Sequence, residues 1–179
     1  MCDYEIYTDG GYSMQADLGA FAYVILQDGQ EIKRFAQKIV HETNNRAEIM
    51  AIMESVLSLP NGSSVAVYSD SQYALGVLSG GYKANKNTDL VFRYKKQVKK
   101  KGLLVEYNWV RGHSGNEWNE VCDALCNEAA GVDLNYRPMD THGKLTSKFF
   151  LSRLSDDELL DLKERVDKEI NNRNLWKTK

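Results

Sequence analysis

The sequence predicts an α/β domain: a mixed sheet of five strands with helices on its faces, followed by a helical extension. Two observations lead there. The first part of the chain carries three consecutive apolar runs of strand length joined by turn signals, and the part that follows alternates between helix-like and strand-like segments. Three strands in a row followed by helix–strand alternation imply a mixed sheet covered by helices.

Residues 3–8 form the first predicted strand, residues 19–27 (GAFAYVILQ) the second, and EIKRFAQKIV the third, with antiparallel hairpin links between them. The period then changes. TNNRAEIMAIMESVLSL carries good helix formers, with Thr43 placed as N-cap and Pro60 just past the end. SSVAVYSD is a short β-branched run and the fourth strand. SQYALGVLSGG reads as a short helix closed by a glycine pair, and residues 88–101 as a helix rich in lysine at its far end. LLVEYNWV is the fifth strand, and NEWNEVCDALCNEAAG a helix finished by Gly131. Residues 132–144 have little periodicity and contain Pro138, so they read as a linker between a domain over 1–131 and an extension over 145–179. In that extension Ser155 and Glu158 form a capping box, and Leu159, Leu162, Val166 and Ile170 make a narrow apolar stripe. Such a stripe needs a partner surface. Docking on its own domain, in a monomer, is the default expectation, and a homodimer through a short coiled coil is the alternative.

Composition narrows the classes of function. With 42% hydrophobic and 27% charged residues, the chain is an ordinary globular protein. Its net charge of −2 offers no global basic field for a polyanion. Cys2, Cys122 and Cys126 are too few and too irregular for a disulfide framework and point to reduced thiols in the cytoplasm. Cys122 and Cys126 share a helix face, where buried small hydrophobes are the simpler reading than half of a metal site. No signal peptide and no apolar run of membrane-spanning length is present, so neither a secreted nor a membrane protein is expected.

Four acids stand out by position. Asp9 ends or nearly ends the first predicted strand, Glu48 lies in the first turns of the first long helix, Asp70 ends the fourth strand, and Asp123 lies inside the last helix of the domain. Each has an ordinary structural use. Asp9 can open an Asp-Gly-Gly turn, Glu48 can favour a helix N-terminus, Asp70 or Ser71 can cap a helix, and Asp123 can be a solvated acid beside an apolar stripe. Glu48 fits its ordinary use least well, because Ala51, Ile52 and Ser55 share its face. Together the four are placed to converge on one edge of the sheet. Such a cluster resists joint ionisation unless cations neutralise it. Oxygen ligands without histidine or cysteine suit Mg²⁺ or Mn²⁺ and not zinc. Two such ions about 3.5–4 Å apart clamp the attacking and leaving oxygens of a phosphodiester.

The words around these acids carry a resemblance. YTDGG, TNNRAEIMA, SDSQYAL and WVRGHSGNEWNEVCDALCNEAA resemble, in order and spacing, the four signature segments of type 1 ribonuclease H (RNase HI), over about residues 1–131. The resemblance implies the ribonuclease H fold, with the first and fourth strands adjacent and parallel. It implies hydrolysis of the RNA strand of an RNA–DNA hybrid duplex, leaving 3′-hydroxyl and 5′-phosphate ends. By the same resemblance Asp9 bridges two Mg²⁺ ions, Glu48 and Asp70 hold the ion near the leaving oxygen, and Asp123 holds the ion that activates water. His113, in the glycine-flanked RGHSG stretch, takes the family's role in proton handling or product departure. Asn44, Asn45 and Gln72 match positions that read the minor groove or 2′-hydroxyls, and Thr43 one that holds a DNA-strand phosphate. Helix capping is the ordinary use of these polar residues, and Thr43 can do both.

The sequence also departs from the family pattern. The basic protrusion of well-known bacterial members shrinks here to SGGYKANKNTD, leaving Tyr82, Lys83 and Lys86. KKQVKKKG supplies Lys95, Lys96, Lys99, Lys100 and Lys101, either a solvated helix face or a duplex contact. Two other readings compete with the hybrid endonuclease. A catalytically silent hybrid-binding module would be supported by loss of a carboxylate, and all four are present. Another nuclease of the wider superfamily is disfavoured by NNRAE and RGHSGN.

Overall fold

In the computed structural model, the described residues are 2–132, Leu134 and Lys163; expectations for the linker and the extension lie outside them. Contacts divide the chain into two units, Met1–Leu134 and Asn135–Lys179.

The first unit holds strands β1 (Tyr4–Ser13), β2 (Leu18–Gln27), β3 (Gln30–Val40), β4 (Ser64–Ser69) and β5 (Leu104–Trp109). Its helices are α1 (Asn44–Leu57), α2 (Gln72–Ser79), α3 (Thr88–Lys101) and α4 (Glu117–Ala130). The strands form one five-stranded sheet in the order β3-β2-β1-β4-β5. β1, β2 and β3 pair antiparallel, and β4 is parallel to both β1 and β5. The expected mixed sheet is therefore the one formed.

The continuous apolar run of β2 follows from burial on both faces. Its alternate residues part company: Tyr23 and Ile25 pack with Ile49, Ile52 and Met53 of α1. Val24 and Leu26 meet Cys122 of α4, and Ala20 and Ala22 meet Cys126 and Ala130. Helix ends follow the expected chemistry. Thr43 caps α1, accepting from Arg46 N through its hydroxyl at 3.3 Å, and Ser71 caps α2, accepting from Ala74 N at 3.3 Å. Gly80 and Gly131 close α2 and α4 in the left-handed conformation.

One expectation is corrected. β1 does not end at Asp9. It runs on through both glycines to Ser13, with Asp9 opposite Ala22, Gly10 opposite Phe21 and Gly11 opposite Ala20. Local turn propensity loses here to pairing with β2.

Candidate active site

On its other side β1 loses its partner just where the acids begin. The parallel register runs through Thr8 and Ser69, so the next residues on the two strands are Asp9 and Asp70. Glu48 arrives from above. Gly10 is the reason it can: a Cβ at that position would collide with the backbone of Ala47 and Glu48, so only glycine lets the first turn of α1 settle on β1. The glycine next to Asp9 thus makes room for a helix.

Asp9, Glu48 and Asp70 each offer a carboxylate oxygen, and the three oxygens lie within 4.8 Å of one another. Asp123 stands outside this set of three, yet its charge acts on both Asp9 and Asp70. Its helix is pinned to β1 on successive turns, where the Cys122 thiol donates to the Tyr7 carbonyl at 3.2 Å and Cys126 to the Asp9 carbonyl at 3.4 Å. All three cysteines are free, and Cys122 and Cys126 are buried, as apolar packing residues would be.

The electrostatics record the crowding. Burial, then the charges of Asp70 and Asp123, push the Asp9 carboxyl from 3.8 up to about 7. Glu48 is raised well above its ordinary value by burial, then by Asp9 and Asp70. Burial also raises Asp70, while His113 and the Asn119 side chain pull it down. Glu48 is only 7% exposed, and its Oε2 is buried with no hydrogen-bond partner among the described residues. A buried carboxylate with an unpartnered oxygen, grouped with two further carboxylates, is what a divalent cation would satisfy, so the donor set fits Mg²⁺ or Mn²⁺.

Asp70 is held from several directions. The Trp109 indole N–H donates to its backbone carbonyl at 3.1 Å, and the Asn119 amide hydrogen-bonds its carboxylate. His113, exposed and with a positive φ of 51°, comes from the loop between β5 and α4 and acts electrostatically on the same carboxylate. The four polar residues matched to substrate contacts are all exposed: Thr43, Asn44 and Asn45 at the start of α1, and Gln72 at the start of α2. Asn44 also has a structural task, its Oδ1 accepting from Tyr12 N at 3.1 Å.

Asn119 and Trp109 are supports the sequence did not reveal. A polar residue one turn before Asp123 was a usable signal, since Asn119 is only 3% exposed. Arg46 was also missed. It forks onto Asp89 through two 3.0 Å bonds and so ties the first turns of α1 and α3 together.

A mixed sheet whose central parallel pairing stops at two acids, with a third lowered onto them by a helix, defines a protein with a carboxylate triad that could hold a metal ion. Comparison with known proteins gives that class its family. The RNase H family model matches residues 2–131. A ribonuclease H from Pseudoalteromonas atlantica is 36% identical over 139 residues, covering 70% of this chain and 89% of that protein. One from Verminephrobacter eiseniae is 36% identical over 142 residues, covering 72% and 90%. Among solved structures, LC11-RNase H1 in complex with an RNA/DNA hybrid aligns with a TM-score of 0.61 at 22% identity, over 72% of this chain and 96% of that one. The chain belongs to the RNase H family, which are hydrolases and endonucleases.

Proposed function

We propose that this protein hydrolyses the RNA strand of RNA–DNA hybrids, leaving 3′-hydroxyl and 5′-phosphate ends, with Mg²⁺ as its cofactor. The observation that carries the reading is the set of three carboxylate oxygens within 4.8 Å at the β1/β4 edge, in a chain of the RNase H family. Asp9, Glu48 and Asp70 would hold the metal, with Asp123 completing the anionic field beside them. When bound, divalent cations supply Lewis-acid stabilisation of the phosphorane charge and a water acidic enough to attack. The chain's own residues do the rest. Thr43, Asn44, Asn45 and Gln72 offer donors and acceptors on the exposed helix starts, suited to phosphates and 2′-hydroxyls. His113 moves protons or helps product leave beside Asp70.

All four acids come from one chain, which supports action as a monomer, and the free thiols suit a reducing cytoplasm. No described helix is long and apolar enough to cross a membrane. We assign catalysis to residues 1–131 and a linker role to 132–144, which leads to a C-terminal extension over 145–179; the family match over 2–131 supports the first. The test is cleavage of a labelled hybrid against duplex RNA and duplex DNA of the same sequence, with and without Mg²⁺. Metal-dependent cutting of the RNA strand in the hybrid alone is expected. Equal cutting of duplex RNA, or none of any substrate, would end this reading.

A further inference from the structure

α3 presents a cationic face with an aromatic near its start. Its fourteen residues hold six basic residues and one acid, in a chain whose net charge is −2. Leu90, Val91 and Tyr94 are buried against the domain. Helical periodicity then puts Phe92, Lys96 and Lys99 at the centre of the opposite face, with Lys95 on one flank and Arg93 and Lys100 on the other. Phe92 is 71% exposed. An aromatic so placed gains nothing from folding, because its ring lies outside the core clusters of the described residues. Lys95, Lys96, Lys99 and Lys100 have no ion-pair partner among the described residues.

The helix is also oriented toward the carboxylate edge. Arg46, two residues before Glu48, forks onto Asp89 in the first turn of α3. At the opposite end Lys101 donates to the carbonyls of Leu57 and Leu59, at the far end of α1, at 2.7 and 2.6 Å. α1 and α3 therefore run side by side in the same direction, both starting at the carboxylate edge. The α2 side is tied in too: the Tyr73 hydroxyl, in the first turn of α2, donates to the Lys86 carbonyl at 3.4 Å and accepts from the Asn87 amide at 3.2 Å. At a rise of 1.5 Å per residue, Phe92, Lys96 and Lys99 stand about 6, 12 and 17 Å from the start of α3. They make a row leading away from the site.

We propose that this row of Phe92, Lys96 and Lys99 is a second contact surface for the nucleic-acid duplex, taking the sugar–phosphate backbone beyond the cleavage site. Charge complementarity selects the occupant. Lysines about one helical turn apart meet successive phosphates, and Phe92, at the end of the row nearer the site, covers the apolar face of the adjoining sugar. The surface rests on the nuclease reading for its substrate, but binding and cutting are separable.

The experiment compares the full chain with Lys96→Ala/Lys99→Ala, with that pair plus Phe92→Ala, and with Lys96→Arg/Lys99→Arg. Fluorescence anisotropy with a 24-base-pair hybrid in metal-free buffer gives Kd as a function of salt, and cleavage of the same hybrid in Mg²⁺ gives kcat and KM. For the double alanine variant the log–log salt slope is expected to flatten by about 2, so that the affinity lost between about 50 and about 200 mM salt shrinks roughly 10-fold. KM rises and kcat holds. The arginine pair keeps the wild-type slope, and adding Phe92→Ala weakens binding further at every salt concentration. An unchanged Kd and slope in the double alanine variant, with cleavage intact, would overturn the surface and leave the nuclease. Wild-type binding with the full slope but no cleavage would overturn the nuclease reading and leave the surface. These side chains are exposed, so the variants are expected to melt within a few degrees of wild type; one that does not is replaced by its single-lysine counterpart.

Discussion

Gly112 lies against the Asp70 carboxylate with no room for a side chain between them: a Cβ on Gly112 would overlap Oδ2. The loop after β5 thus shapes the carboxylate edge by what it lacks. Gly112→Ala should push the Asp70 carboxylate out of the triad while leaving the sheet intact. A displacement of about 1 Å at a catalytic group can cost on the order of 10²-fold in rate. The expected result is a kcat lowered by about that factor, a higher Mg²⁺ midpoint and a melting temperature within a few degrees of wild type. Unchanged metal dependence would mean that Asp70 is positioned by something else.

Leu134 closes the described unit. Its N–H donates to Asn127 Oδ1 at 2.7 Å, and its side chain joins Ala20, Ala22, Cys126 and Ala130. It also sits where a side chain on Gly11 would go. Ending the chain after Gly131, the boundary the sequence suggests, therefore discards part of a core. Truncation after Gly131 should be less stable than truncation after Leu134 by about 1.5–3 kcal/mol, for the two partly buried side chains of Val132 and Leu134 that it removes. Equal denaturant midpoints for the two would show that the contact contributes nothing.

Asp9, Glu48 and Asp70 were legible as a set because their order survives in one dimension: a strand, a helix start, a strand end. What positions them was not. Asp-Gly-Gly reads locally as a turn, and only pairing with β2 carries β1 through Gly10 and Gly11. Gly10 makes room for Glu48 through a contact 37 residues away in sequence, which no local pattern encodes. Lys101 belongs to a charge run that reads as a solvated face or a duplex contact, yet its ammonium serves the carbonyls at the end of α1. Asn119 looks like the polar side of an amphipathic helix until α4 is docked and that side meets Asp70.

His113 stands at the rim of the site, exposed, and bears on the charge of Asp70. Replacing it tests a proton-handling role without touching the triad. His113→Ala should lower turnover by about 10²-fold, in the range of general acid–base catalysis, and flatten the pH–rate profile on one side. Metal-free stability should stay within about 0.5 kcal/mol of wild type, as for an exposed residue. A rate equal to wild type across the pH range would remove His113 from the mechanism.

Asp9 links metal, charge and stability. Its carboxyl is held up to about 7 by burial and by the neighbouring acids. Below about pH 4 the folded and unfolded chains both keep its proton, and the group contributes nothing. Between there and about pH 7 the unfolded chain releases the proton while the folded one keeps it. The folded state then binds more protons, and its stability falls as the pH rises. Above about pH 7 the penalty is complete, on the order of a few kcal/mol. Glu48 and Asp70, raised chiefly by their own burial, act in the same direction. Asp9→Asn removes the charge and keeps the shape. Without metal, wild type should melt lower at about pH 8 than at about pH 5, and Asp9→Asn should narrow that gap by melting higher at about pH 8. Mg²⁺ at about 100 times its Kd should return about 2.7 kcal/mol to wild type and clearly less to the variant, whose cleavage is nearly abolished. A metal-free Asp9→Asn less stable than wild type at the higher pH would show that Asp9 is held by favourable contacts, and that the edge is not an anionic site awaiting cations.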